Sequence, residues 1–220
     1  MTFDHASLRA RARRIEAKGA DGLGLRVHRA LSWLDAAERC GDDDDARFIF
    51  LWISLNAAYA DEIKRESTPE QAILNRFLQR LVDLDTDNLL YELVWLKFAG
   101  PFRVLLDNRY VYQPFWDHQN GKIDADRWRR GFESAKTAAR RALGDRRQTA
   151  TVLAIVLSRL YTLRNQLMHG GATWRSSVNR DQIRDGTAIL ADLVPRVIHL
   201  LIVNREEDWG TPCYPVVRDE

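Results

Sequence analysis

The side chains best suited to chemistry in this 220-residue chain are Arg164, Asn165 and His169. They lie in the run Leu160-Tyr161-Thr162-Leu163-Arg164-Asn165-Gln166-Leu167-Met168-His169-Gly170-Gly171. Val152, Ile155, Val156, Leu160, Leu163 and Leu167 recur at helical spacing, so one face of the segment is expected to be buried. Gly170-Gly171 should stop that helix, because glycine enters the left-handed cap conformation without steric cost. His169 is therefore expected at or just inside the helix C-terminus. Asn165 precedes it by four residues, so the two share a face and come within hydrogen-bonding reach. Arg164 is rotated from His169 by roughly 140° on ideal geometry and flanks the same end from the side.

An imidazole and a guanidinium at one helix end suit cleavage of an RNA phosphodiester without a metal. That reaction needs a base for the 2′-hydroxyl proton, an acid for the leaving 5′-oxygen and a cation for the charge on phosphorus. Histidine serves either proton-transfer role near neutral pH, and the planar fork of arginine fits the phosphate oxygens. One chain offers a single pair of this kind. Two copies about a two-fold axis would bring two of each into one cleft, which predicts a homodimer with a shared site. The same residues also have a plain structural use. A histidine at a helix C-terminus is favoured by the negative end of the helix dipole, and arginine is common on helix surfaces.

The elements that must position these groups read as helices almost throughout. The expected spans are about Ser7 to Lys18, ended by Gly19 and Gly22-Leu23-Gly24, then Leu25 to Cys40, then Arg47 to Tyr59. The aspartates Asp42–Asp45 precede the third helix, where carboxylates cap free amides and complement the dipole. A fourth helix starts near Thr68-Pro69-Glu70, and a fifth runs from Asp85-Thr86-Asp87-Asn88 to Phe98. Gly100-Pro101 breaks or kinks the chain before Phe102–Leu106. Asn108 to Asn120, with Tyr110, Tyr112, Phe115 and Trp116, reads as an aromatic, partly irregular insert. Helices from Asp124 to Leu143, Gln148 to Met168 and Asn179 to Asn204 follow, with an extended tail from about Arg205. No linker is evident, so residues 1–220 read as one domain: an all-α antiparallel bundle of eight to nine helices.

Composition narrows the function classes. The hydrophobic share is 45% and the charged share 29%, ordinary for a globular protein, with seven tryptophans to fill a core. No apolar run is expected to reach the length needed to span a bilayer, and the first residues lack a signal-peptide stretch. Cys40 and Cys213 allow one disulfide but make no disulfide framework or zinc ribbon, and two incidental thiols point to the cytoplasm. A net charge of +2 gives no bulk attraction for nucleic acid, so anion binding must be local. One local cluster runs from Asp126 to Arg147, with eight basic residues against three acidic ones. Another holds Arg9, Arg11, Arg13, Arg14 and Lys18. The commoner reading of each is a solvated helix face. No phosphate-binding glycine loop, paired zinc ligands or Ser-His-Asp order occurs, so no metal or cofactor is expected.

Arg164-Asn165-x-x-x-His169 resembles the Arg-polar-three-His motif of the HEPN superfamily. Phe50-Leu51-Trp52-Ile53-Ser54-Leu55-Asn56-Ala57-Ala58-Tyr59 is similar to the aromatic-Asn-Tyr helix of bacterial HEPN proteins. Gly170-Gly171-Ala172-Thr173-Trp174 and Asn179-Arg180-Asp181 also look like one bacterial branch. The resemblance implies a dimeric bundle of antiparallel helices with an RNA-cleaving cleft lined from both copies. Arg164 would bind the scissile phosphate, His169 would be the acid or base, and Asn165 would orient His169. It further implies work in a toxin–antitoxin pair, phage defence or RNA processing, with an antitoxin or other defence-system protein as partner. Some family members only bind RNA or protein. Around the motif, Arg175, Arg180 and Arg184 are candidates for substrate binding, Trp174 for covering the site or packing its loop, and Asn56 for supporting it from behind or satisfying the core. His199 reads as a core or interface residue. His5, His28 and His118 have no partner recognisable in sequence.

Overall fold

The structure is a computed structural model of the chain and describes residues 2–16, 22–60, 70–212 and 214. Regular structure among them is helical. Ten α-helices occur: α1 (His5–Glu16), α2 (Gly22–Glu38), α3 (Asp44–Tyr59), α4 (Glu70–Leu84), α5 (Leu89–Glu92), α6 (Ala99–Asp107), α7 (Gln113–Gln119), α8 (Ala125–Ala142), α9 (Thr149–Met168) and α10 (Arg180–Val203). The all-α expectation holds. The additional helix is α7, in the stretch expected to be irregular. Pro114 sits in its first turn, where a missing N–H costs nothing. Lys18, Gly19, Thr68, Pro69 and Cys213, named in the sequence expectations, lie outside the described residues.

The chain packs as two compact units, Met1–Asp85 with Leu190–Glu220, and Thr86–Ile189. The division falls inside α10, so no shift in composition marks it. α10 is long and apolar enough, by length and composition, to cross a membrane, once Asp192 and Arg196 are allowed inside the run. Most of that stretch is buried in the protein, as in a core helix.

In the first unit α2 and α3 form an antiparallel hairpin, joined by a short turn. The Asp43 carboxylate caps α3 by accepting from the Ala46 amide at 3.1 Å, the use expected for this acidic run. Ser54, fully buried, donates to the Ala30 carbonyl at 2.7 Å and ties the two helices together. Phe48, Leu51, Leu55, Leu78, Leu81, Val197 and Leu201 belong to its core. The C-terminal segment packs on this unit. Trp209 meets Phe77 edge-on at 5.9 Å, and the buried Arg26 donates to the carbonyls of Ala60 and Thr211. His199 is 2% exposed, with Nδ1 3.2 Å from Arg11 Nη1.

The second unit holds α5 to α9 and the start of α10. Leu93–Lys97 is π-helical, closed by the Phe98 amide donating to the Leu93 carbonyl at 3.0 Å. Pro101 is the physical reason for the irregularity. Its ring would collide with the residue-97 carbonyl of a continuing α-helix, so the chain widens and restarts at Ala99. Pro101 then occupies the first turn of α6. Phe115, Trp128 and Phe132 form an aromatic cluster under α7 and α8, packed by Tyr112 and Trp116. The rings expected in the irregular insert are thus largely core. Tyr110 remains 39% exposed.

Candidate active site

Val152, Leu153, Val156, Leu157, Leu160 and Leu163 are all buried and fix the inner face of α9. The opposite stripe carries Ser158, Tyr161 and Met168, with Arg164 and Asn165 half-buried between them. The helix ends as a Schellman motif. The Gly171 amide donates to the Gln166 carbonyl at 2.7 Å, and the Gly170 amide to the Leu167 carbonyl at 3.2 Å. Gly170 has φ +68°, the left-handed conformation that the glycine pair implied. A Cβ on Gly171 would stand 3.0 Å from the Gln166 carbonyl oxygen, a tight contact that a side chain there would have to relieve. His169 is the C-cap residue, and its amide donates to the Asn165 carbonyl at 3.0 Å.

The motif side chains are arranged differently from the sequence expectation in one respect. Asn165 Oδ1 accepts from Arg164 Nη1 at 2.9 Å, so Asn165 orients the guanidinium and not the imidazole. A charge-assisted hydrogen bond to the adjacent arginine is stronger than one to a neutral ring four residues on. The Arg164 guanidinium also lies 5.9 Å from the centre of the Tyr161 ring. His169 is exposed, and its imidazole has no hydrogen-bond partner among the described residues. Both nitrogens of that ring are therefore open to an incoming substrate or a second protein surface.

Gln166 is the residue that sequence reasoning passed over. Its Nε2 donates to the Tyr110 carbonyl at 2.6 Å, and its Oε1 accepts from Asn179 Nδ2 at 2.7 Å. The Tyr110 carbonyl also accepts from Trp116 Nε1 at 2.7 Å. One carboxamide thus joins the end of α9 to the turn before α7 and to the loop leading into α10. Asn179 sits at φ +59°, a conformation asparagine tolerates better than most residues. Nothing in the run Asn165-Gln166-Leu167 marks a partner 56 positions away.

The other expected residues divide. Trp174 is 69% exposed, with the Arg175 guanidinium 4.9 Å from its ring, so it stands out from the loop without sinking into it. Arg175 itself is at φ +54°. Arg180 Nε donates to the Ser176 carbonyl at 3.0 Å, bracing the same loop. Arg184 is paired with Asp181 and Asp185, each at 3.1 Å, which reduces what it offers an anion. Asn56 belongs to the first unit and the motif to the second. The Asn56 Oδ1 is buried and accepts no hydrogen bond among the described residues.

A second arginine of α9 also lacked a sequence signal. Arg159 is 5% exposed and lies over the Tyr112 ring at 4.4 Å and near Phe132 at 5.8 Å. No carboxylate accompanies it among the described residues, and burial pushes its pKa below the usual arginine value. On α8, the exposed side chains of Arg127, Arg130 and Arg141 have no partner among the described residues. Lys136 and Arg140 are each engaged by Asp107 at 3.4 Å.

Neither a family model, nor a curated protein, nor a solved structure matches the chain.

Proposed function

We propose that this chain is a metal-independent endoribonuclease of HEPN type whose complete site is assembled from two copies. The observation that carries the reading is the open end of α9. There a guanidinium is held by its own neighbour, Asn165, and an exposed imidazole with no hydrogen bond among the described residues follows one turn later. Arg164 binds the non-bridging oxygens of the scissile phosphate. A neutral His169 takes the proton of the 2′-hydroxyl as its oxygen bonds to phosphorus. The bond from phosphorus to the 5′-oxygen breaks, and a protonated His169 from the second copy gives that oxygen its proton. The products are a 2′,3′-cyclic phosphate and a free 5′-hydroxyl. The substrate is single-stranded or loop RNA, and the exposed rings of Tyr110, Tyr161 and Trp174 offer stacking surfaces for unpaired bases. A cytoplasmic role in a toxin–antitoxin or phage-defence system, with an antitoxin or defence protein as partner, belongs to the same reading.

The test is cleavage of a single-stranded RNA by the purified full chain in EDTA, with the products checked for the cyclic phosphate. His169→Ala and Arg164→Ala are each expected to abolish cutting while circular dichroism and sedimentation stay as in the wild type. Loss of cutting on chelation, or a monomer that still cuts at full rate, would overturn the mechanism.

One observation favours a second reading, a non-catalytic RNA- or protein-binding dimerisation module. The Asn165 Oδ1 accepts from Arg164, and among the described residues no hydrogen bond fixes the tautomer of His169. In that case Arg164 is an anion anchor, and His169→Ala leaves binding intact in a protein that never cuts.

A further inference from the structure

We infer that the groove between α1 and α2 is a binding site for a small phosphomonoester. It lies in the first unit and does not depend on the nuclease reading. One wall is a stripe of α1, with His5, Arg9 and Arg13 each four residues apart. The other wall is a stripe of α2, with His28 and Asp35 seven apart. Ala12 and Leu31, both 5% exposed, form an apolar floor. The groove encloses about 400 Å³, within the range of small-molecule sites.

Its charge is one-sided. The guanidiniums of Arg9 and Arg13 are exposed and have no hydrogen bond or ion pair among the described residues. The same is true of the His28 imidazole. Asp35, the one carboxylate among the lining residues, is already committed, with His5 Nδ1 at 3.4 Å and Arg39 Nη2 at 2.7 Å. Among the described lining residues the uncommitted side chains are two guanidiniums, the His28 ring and the Ser32 hydroxyl, so no carboxylate is left free to oppose an anion. Two arginine forks one turn apart, about 6 Å along the helix axis, suit an oxyanion with several equivalent oxygens. A terminal phosphate has three such oxygens and close to two charges, whereas a diester has two and one. That difference selects a monoester, and the apolar floor suits the organic body attached to it.

The test uses the full chain at constant ionic strength. Inorganic phosphate, adenosine 5′-monophosphate, adenosine and chloride are titrated separately, with the ring signals of His5 and His28 followed by NMR and the heat by calorimetry. Both phosphates should give saturable shifts of the two rings, the nucleotide the tighter of the two, and adenosine none. Arg9→Glu with Arg13→Glu should weaken the nucleotide at least tenfold, and the double lysine variant should lie between. Equal, non-saturating shifts with phosphate and chloride would mean a solvated basic face and overturn the proposal. That comparison needs only the wild-type protein, so it decides the matter even if the charge-reversed variant fails to fold.

Discussion

At the scale of single residues, the sequence places Arg164, Asn165 and His169 together but leaves open which side chain serves which. An asparagine between a guanidinium and an imidazole has a choice of partner, and spacing alone does not decide it. The charge-assisted bond to Arg164 decides it. Asn165→Ala should therefore act through Arg164. Losing a hydrogen bond to a charged group is worth about 1.5–3 kcal/mol, so cleavage should fall roughly tenfold or more while the NMR resonances of the His169 ring stay in place. Asn165→Asp keeps the acceptor and should hold the arginine while weakening phosphate binding, visible as a higher KM. Displaced His169 ring resonances in the alanine variant would return Asn165 to the role expected from sequence. Arg159 and Gln166 were invisible at this scale because their partners, Tyr112 and Tyr110, are brought near only by folding.

At the scale of elements, apolar periodicity located the long helices to within a few residues. α9 began one residue after the expected start and ended where the glycines said. It failed where a short helix is held by packing. α7 has seven residues, too few to declare a period, and its aromatic content fits strand, loop or core equally well. It failed again at Gly100-Pro101, where the expected break moved upstream into a π-helical turn. The end of α9 makes the firmest prediction here. Gly170→Ala forces a Cβ into a left-handed position and should destabilise the chain by about 1 kcal/mol, read from urea denaturation. Because His169 is the residue before it, cleavage should fall by more than the lost stability explains. Gly170→Asn should cost less on both counts, since asparagine tolerates this conformation.

At the scale of the molecule, the small net charge hides an uneven surface. On α8, Lys136 and Arg140 share Asp107, while Arg127, Arg130 and Arg141 stand exposed and unpaired among the described residues. If RNA follows this helix, reversing all three to glutamate should flatten the salt dependence of binding. For single-stranded RNA each lost phosphate contact lowers the slope by about 0.7, so three contacts would remove roughly 2. An unchanged slope in a His169→Ala background would show that the RNA path lies elsewhere. The two-unit division was illegible in sequence for a definite reason: the boundary runs through α10, where neither loop nor linker residues announce it.

The carboxamide of Gln166 has one further consequence. An amide has a giving end and a receiving end, and here each is matched, a carbonyl facing the first and an amino group the second. Gln166 thus ties both the aromatic turn and the Trp174 loop to the motif helix. Whatever pulls on either strap, whether a base wedged against Tyr110 or a protein pressing on Trp174, reaches the helix three residues from His169.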